Sequence, residues 1–324
     1  MTIIVTGGAG FIGSHVVEAL LARGDEVHVV DDLSKGVREN VHAAATLHIH
    51  DVREPLEAIV RETGAHAIVH LAAQADVRVS VAEPGRDASI NVLGTVNVLE
   101  AARLTGARVV FASTGGAIYG ECERPAREDD PCLPLSPYGA AKLAGEGYLG
   151  AFERLYGTPH VALRFGNVYG PRQDPHGEAG VVAIFLGRLL DGGRCHIFGD
   201  GSQCRDYVYV GDVARAMLTA LDSEVDGVLN VGTGTATSVL DLYDVCRSVA
   251  GSDAEPVHEA ARAGELGRSV LDGEHTAAAI GFRPETSLAE GVAATWTSLQ
   301  SAGSGSPTRA GSSSLLAVSH LSEG

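Results

Sequence analysis

The chain has 324 residues, enough for one large domain or two modest ones, and its 45% hydrophobic and 20% charged content is that of an ordinary globular protein. Its 24 Lys and Arg against 41 Asp and Glu give a formal net charge of −17, which argues against nucleic acid or an anionic membrane as the main partner while allowing a small anionic ligand held by local charge. No apolar run approaches membrane-span length, the first strand begins directly after Met1, and Cys122, Cys132, Cys195, Cys204 and Cys246 form no Cys-x-x-Cys pair, so a reduced, cytoplasmic protein without a signal peptide is expected.

In chain order, short apolar runs at 3–6, 26–30, 46–50, 67–71, 108–113 and 160–165 read as strands. Helical stretches at 14–23, 54–63, 89–105 and 137–156 lie between them. That alternation predicts an α/β fold, a Rossmann-type doubly wound parallel sheet with helices on both faces. Residues 200–210 end in a strand-like stretch, 211–221 read as a helix, and 227–232 as a further strand of the same sheet. Residues 171–199 and 233–300 are less regular and indicate a smaller α/β lobe that the chain enters twice. The expected organisation is a nucleotide-binding domain over 1–170 to which 205–232 return, and a second lobe from 171–204 and 233–300. A Ser/Gly-rich tail at 301–324 is expected to be disordered. No internal repeat is present.

The first strand runs into Gly7-Gly8-Ala9-Gly10-Phe11-Ile12-Gly13. A glycine turn between strand and helix lets the backbone come close to a ligand and points free helix N–H groups at a pyrophosphate. Both G-x-G-x-x-G (Gly8, Gly10, Gly13) and G-x-x-G-x-x-G (Gly7, Gly10, Gly13) fit. The second strand ends in Asp31-Asp32, about 20 residues on, where an acid accepts the ribose hydroxyls of NAD and repels the extra phosphate of NADP. NAD is therefore the expected cofactor.

A second constellation is Ser136-Pro137-Tyr138-Gly139-Ala140-Ala141-Lys142. Ser136 caps a helix and Pro137 suits its first turn. Tyr138 and Lys142 then share one helix face at i and i+4. A free tyrosine titrates near 10, and a neighbouring cation together with a positive nicotinamide favours its phenolate, making it a base for an alcohol. Gly139, Gly145, Gly147 and Gly150 are poor helix formers and point to a close neighbour along this helix. The strand ending at Ser113-Thr114 brings hydroxyls to the carboxyl edge of the sheet, where ligands bind. His48 and His50 alternate without further ligands and read as surface residues, so no metal is expected. No Gly-x-Ser-x-Gly elbow is present.

On these stretches the chain resembles the extended short-chain dehydrogenase/reductase family, the NAD-dependent epimerase/dehydratase group. Within it the chain is most similar to the bacterial UDP-glucose (UDP-galactose) 4-epimerase branch. The resemblance runs from residue 1 to about 300 and rests on "TGGAGFIGSH", "DDLSKG", "HLAAQ", "NVLGTVNVLEAA", "STGGAIYG", "SPYGAAK", "LRFGNVYGPRQDPHGEAGVVAIF", "HIFGDGSQCRDYVYVGDVA" and "LNVGTG". It implies a catalytic set of Thr114, Tyr138 and Lys142 with Ser113 beside them. For NAD it implies Gly7, Gly10, Phe11, Ile12, Gly13, Asp31, Asp32, Ser34, Lys35, Asp51, Val52, Leu71, Ala72, Ala73, Gln74, Asn91, Tyr138, Lys142 and Phe165. For a UDP-hexose it implies Gln74, Thr114, Tyr138, Asn167, Val181, His196, Phe198, Arg205, Arg262 and Glu265, with the two arginines suited to clamp the pyrophosphate.

The implied reaction is a redox cycle without net redox. The sugar 4-hydroxyl is oxidised, the 4-keto sugar turns in the pocket, and it is reduced on its other face. Gly115-Gly116 after Thr114 leave no acid placed for the water elimination of related dehydratases. Glu265 stands where the family usually has Asp, and Ser269 where some members have a Tyr that restricts the sugar pocket. A UDP-N-acetylhexosamine or UDP-uronic acid is thus an alternative substrate. A non-catalytic NAD-sensing protein on the same fold is the contrasting reading, and the retained Thr114, Tyr138 and Lys142 speak against it. The family also implies a homodimer through helices near 89–104 and 137–156.

Overall fold

The computed structural model describes residues 1–175, 180–262 and 264–304. The first half alternates as expected: β1 (Thr2–Thr6), α1 (Phe11–Arg23), β2 (Glu26–Asp31), β3 (Thr46–Ile49), α2 (Glu57–Thr63), β4 (Ala67–His70), α3 (Val77–Ala82), α4 (Pro84–Ala88), α5 (Gly94–Thr105), β5 (Arg108–Thr114), α6 (Gly115–Ile118), α7 (Pro137–Tyr156) and β6 (Val161–Phe165). The remainder comprises β7 (Asn167–Tyr169), α8 (Val181–Leu190), β8 (His196–Phe198), β9 (Cys204–Arg205), β10 (Tyr207–Tyr209), α9 (Val210–Asp222), β11 (Gly227–Val231), β12 (Thr237–Ser238), α10 (Val239–Ala250), β13 (Val257–Glu259), β14 (Arg268–Ser269), α11 (Glu274–Ile280) and α12 (Leu288–Ser304).

Seven strands form one parallel sheet in the order β11-β6-β5-β4-β1-β2-β3. The strands are rich in β-branched residues because both faces are covered. Ile3, Val5, Val29, Val69 and Leu163 pack on the α1/α9 side, while Ile4, Val30, Ile68, Phe111 and Ala162 pack on the α2/α5/α7 side. Strand order reverses between β1 and β4, and the crevice beyond their carboxyl ends is where this architecture takes ligands. A separate core of Tyr169, Phe185, Leu186, Ile197, Tyr243 and Val292 lies among α8, α10 and α12.

Three boundaries differ from the sequence reading. The stretch expected as one helix over 89–105 is a π turn at Ser89–Leu93 followed by α5, and the helical run starts earlier, with α4. The return expected at 205 begins at α9, which packs on α1. Residues 204–209 instead belong to small outer ladders, β9 with β12 and β14 and β10 with β7, because the buried Asp206 carboxylate accepts from Thr233, Gly234 and Leu271 N–H groups and ties that turn to the second lobe. The helix α12 carries four residues into the segment expected as tail, and 305–324 lie outside the described residues. Among the described residues no helix is long and apolar enough to cross a membrane.

Candidate active site

At the β1–α1 turn the close packing explains the glycines. Gly7 has φ +71°, and a Cβ there would lie 2.6 Å from the Ala72 nitrogen. A Cβ on Gly13 would lie 2.1 Å from the Gly7 carbonyl oxygen, so no other residue lets α1 start this close to β1. Helix α1 begins at Gly10 with no side-chain cap and no acid in its first turn, which leaves its N–H groups and dipole for an anion. Asp31 Oδ2 accepts from Ala9 N at 3.0 Å and Oδ1 from Leu33 N at 2.9 Å. The carboxylate thus holds the glycine loop against the end of β2, and each oxygen keeps a further lone pair for a ribose hydroxyl. Burial raises its pKa, and the Leu33 and Ala9 N–H bonds oppose the rise. Leu33 takes a positive φ of 57° at this corner. The cradle, the uncapped helix and the acid fit a dinucleotide.

Other expected cofactor residues divide. Phe11 and Ile12 in α1 and Leu71, Ala72, Ala73 and Gln74 beyond β4 are partly exposed at the crevice. Asp32 and Ser34 close an Asx turn beside the exposed Lys35. Asp51 is engaged with Arg53, whose guanidinium holds its carboxyl below the usual range. Val52 is buried against Gly94. Asn91 is fully buried: its Oδ1 accepts from Gln74 N at 3.0 Å and its Nδ2 donates to Gln74 O at 2.9 Å, so it shapes the Gln74 turn and is not turned toward the crevice. Phe165 ends β6, in register with Thr114 on one side and Val231 on the other.

The Ser136 hydroxyl accepts from Gly139 N and Pro137 opens α7, as the motif predicts. Two of the α7 glycines meet close neighbours: a Cβ on Gly139 would lie 2.3 Å from Ala117 O, and one on Gly145 2.8 Å from the Phe111 ring. Helix α7 thereby comes down onto β5. The Lys142 Nζ donates to Ala112 O at 2.8 Å and lies 4.7 Å from the Phe111 ring centroid. Thr114, at the end of β5, carries the hydroxyl that bears on the ionisation of Tyr138.

The ionisation of this pair differs from the sequence expectation. Tyr138 is pushed up to about 12 by burial and by the Asp87 charge, with the Thr114 hydroxyl opposing. Burial depresses Lys142 to about 8, and the charges of Asp87 and Glu146 pull it back. The ammonium is directed to the Ala112 carbonyl, so in the protein alone burial outweighs the cation that was expected to favour phenolate.

Ser113 is a correction. Successive strand residues face opposite ways, and the Ser113 hydroxyl, buried, donates to Glu146 at 2.5 Å instead of joining Thr114 and Tyr138. Glu146 is paired in turn with Arg164 at 2.9 and 2.7 Å, and Arg164 donates to the Tyr119 hydroxyl. Sequence reading missed this buried network, and it missed Asp87. The only signal was charge inside otherwise apolar helical stretches.

On the other wall, Asn167 and Thr114 flank Gly116, whose Cβ would stand 3.5 Å from Asn167 Oδ1 and 4.0 Å from Thr114 Oγ1. Val181 starts α8. Arg205 donates to Cys204 O and Leu266 O and is paired with Glu265 at 3.4 Å. Arg262 is exposed and stacked 3.8 Å over the Phe198 ring. The structure therefore brings Arg205, Glu265, Arg262 and Phe198 together, with His196 on the same strand as Phe198 but bonded to Glu259. Ser269 is buried and in register with Arg205. His48 hydrogen-bonds His28 at 3.0 Å near the sheet edge.

A doubly wound sheet with a glycine cradle at its switch point and a Tyr–Lys helix beside a strand-end hydroxyl defines a dinucleotide-dependent enzyme class. The model of the NAD dependent epimerase/dehydratase family matches residues 3–232, and the chain belongs to that family. A UDP-glucose 4-epimerase of Mycolicibacterium smegmatis is 46% identical over 304 residues, covering 91% of this chain and 97% of that protein. A solved UDP-glucose 4-epimerase of Thermotoga maritima, with UDP-glucose, superposes with a TM-score of 0.91 at 46% identity, covering 93% of this chain and 99% of that one. One from Thermus thermophilus in complex with NAD superposes at 0.88 with 47% identity, covering 93% and 100%.

Proposed function

We propose that this chain interconverts UDP-galactose and UDP-glucose with a resident NAD. The observation that carries the reading is the packing of α7, with Tyr138 and the buried Lys142, onto the end of β5 that carries Thr114, at the edge of the sheet that also carries the Gly7–Gly13 cradle. The near full-length likeness to UDP-glucose 4-epimerases supports it. Bound NAD supplies the hydride acceptor and donor. Phe11 and Ile12 N–H groups and Asp31 orient it, and the Gln74 turn borders it. Tyr138 Oη takes the proton of the sugar 4-hydroxyl and later returns it to the 4-keto oxygen. Thr114 Oγ1 shares that proton, and the Lys142 cation favours the ionised tyrosine. Arg262 and Arg205 serve as cations for the UDP pyrophosphate. Gly115-Gly116 place no acid at the reacting sugar.

We further propose a cytoplasmic homodimer. Its support is five free thiols and an outward row of apolar side chains on the π turn, α5 and α7: Leu93, Leu104, Tyr148, Leu155 and Tyr156. The test is a coupled assay on purified protein, offering UDP-galactose and UDP-N-acetylgalactosamine separately and without added NAD. Turnover of UDP-galactose is expected. Faster turnover of the N-acetyl sugar would transfer the assignment to that substrate, and no turnover of either would remove both as substrates.

A further inference from the structure

Asp87 is fully buried near the end of α4, two residues before the π turn at Ser89–Leu93. Its Oδ1 accepts from Gln74 Nε2 and from Asn91 Nδ2, both at 3.0 Å. Its Oδ2 is buried with no hydrogen-bond partner. A half-satisfied carboxylate in the interior is costly, and its usual compensation is an opposite charge. Helix α4 packs against α7, which carries Lys142, itself 3% exposed and bonded to a single carbonyl.

We propose that Asp87 is a positioning residue of the Tyr138–Lys142 pair: one carboxylate oxygen fixes the Gln74 turn, and the other supplies the buried negative charge that balances Lys142 and opposes ionisation of Tyr138. The inference deepens the proposed function and rests on it for the role of Tyr138.

The other charges around the pair are few. Glu146, on α7, is already spent on Arg164 and Ser113. His70, on β4, is bonded to Thr6 and Thr95 and kept neutral by burial, down to about 3. On α3 and its cap, Asp76 pairs with Arg78, and flanking α4 the exposed Glu83 pairs with Arg86. Asp87 is the charge common to both members of the pair: it acts on Tyr138 and on Lys142 in the same direction, favouring the protonated form of each. Geometry agrees. The Gln74 side chain that Asp87 holds also closes a loop onto Asp76, with Nε2 donating to Asp76 O and Oε1 accepting from Asp76 N, so the carboxylate is pinned on one side and cannot rotate away.

The test is a difference titration of phenolate absorbance on the NAD-loaded protein. Subtracting the Tyr138→Phe protein isolates Tyr138, and the pair of measurements is repeated with Asp87→Asn. Asparagine keeps an acceptor for Gln74 and Asn91 and removes the charge. The expected result is a roughly three- to tenfold larger ionisation constant for Tyr138 in Asp87→Asn. An unchanged Tyr138 titration would overturn the proposal and leave Asp87 with the Gln74 turn alone. If Asp87→Asn does not fold, Asp87→Ser, uncharged and with a hydroxyl acceptor, is read the same way. The readout uses no nucleotide sugar. Failure of wild-type protein to epimerise UDP-galactose would therefore count against the proposed activity, and only the titration decides on Asp87.

Discussion

Replacing Arg164 by Met tests the buried ion pair behind the catalytic strand. Arg164 and Glu146 are each about 5% exposed at the side chain, and two guanidinium nitrogens bond the carboxylate at 2.9 and 2.7 Å. Arg164 also donates to Tyr119 at 2.6 Å and lies 4.9 Å over its ring. Methionine fills much of the volume and removes the charge, leaving Glu146 buried with only the Ser113 hydroxyl. Breaking one side of such a pair costs about 3–5 kcal/mol, because the remaining charge is uncompensated. At roughly 2–4 °C per kcal/mol for a chain of this size, the melting temperature falls by about 10 °C. The double variant Arg164→Met with Glu146→Leu removes both charges and should recover most of that loss. Thermal unfolding by circular dichroism reads both variants. A single variant within about 1 kcal/mol of wild type, or a double variant worse than the single, would refute the reasoning.

Three further outcomes are expected. Tyr138→Phe lowers kcat by about 10²–10⁴-fold while NAD stays bound, measured by turnover and by cofactor released on denaturation. Gly13→Ala places a Cβ against the Gly7 carbonyl, so the protein should carry less NAD per chain and melt lower than wild type. His70 is held neutral in the fold, to about 3 against an ordinary 6.5, so the unfolded chain binds the extra proton between those values. Stability from this group is present above pH 6.5 and is lost as pH falls toward 3, on the order of 5 kcal/mol in all. His70→Gln should flatten that acid limb in urea titrations at successive pH values, and an unchanged limb would exclude His70 as its source.

Much of the fold was legible because the sheet is buried on both faces, so its strands announce themselves as short apolar runs bounded by glycines and helices. The glycine turn, Asp31 and the Tyr138–Lys142 spacing were legible because each carries a steric or charge requirement within a few residues. What was not legible is long-range. Ser113 and Thr114 look equivalent in sequence, and only the pairing of Ser113 with Glu146, 33 positions on, separates them. The upward shift of Tyr138 comes first from burial in the tertiary fold and then from Asp87, on a different helix, and neither is visible in the local motif. The break between α4 and α5 follows from a π turn that keeps helical periodicity almost intact, so hydropathy does not report it.

The alternation at the end of β5 makes the site a matter of reading frame. Thr114 reaches the cleft and Ser113 the buried carboxylate only because Ala112 is held by Lys142 and the strand is paired residue for residue with β6. Slipping β5 by one position would scarcely alter its hydropathy, since both residues are hydroxylated. It would nonetheless move both hydroxyls, leaving Glu146 facing Thr114 or Ala112 and Tyr138 beside Gly115 or Ser113. Single-residue insertions and deletions in 108–112 should therefore be eliminated far more strictly than substitutions there, a pattern that a library of variants selected for turnover would display directly.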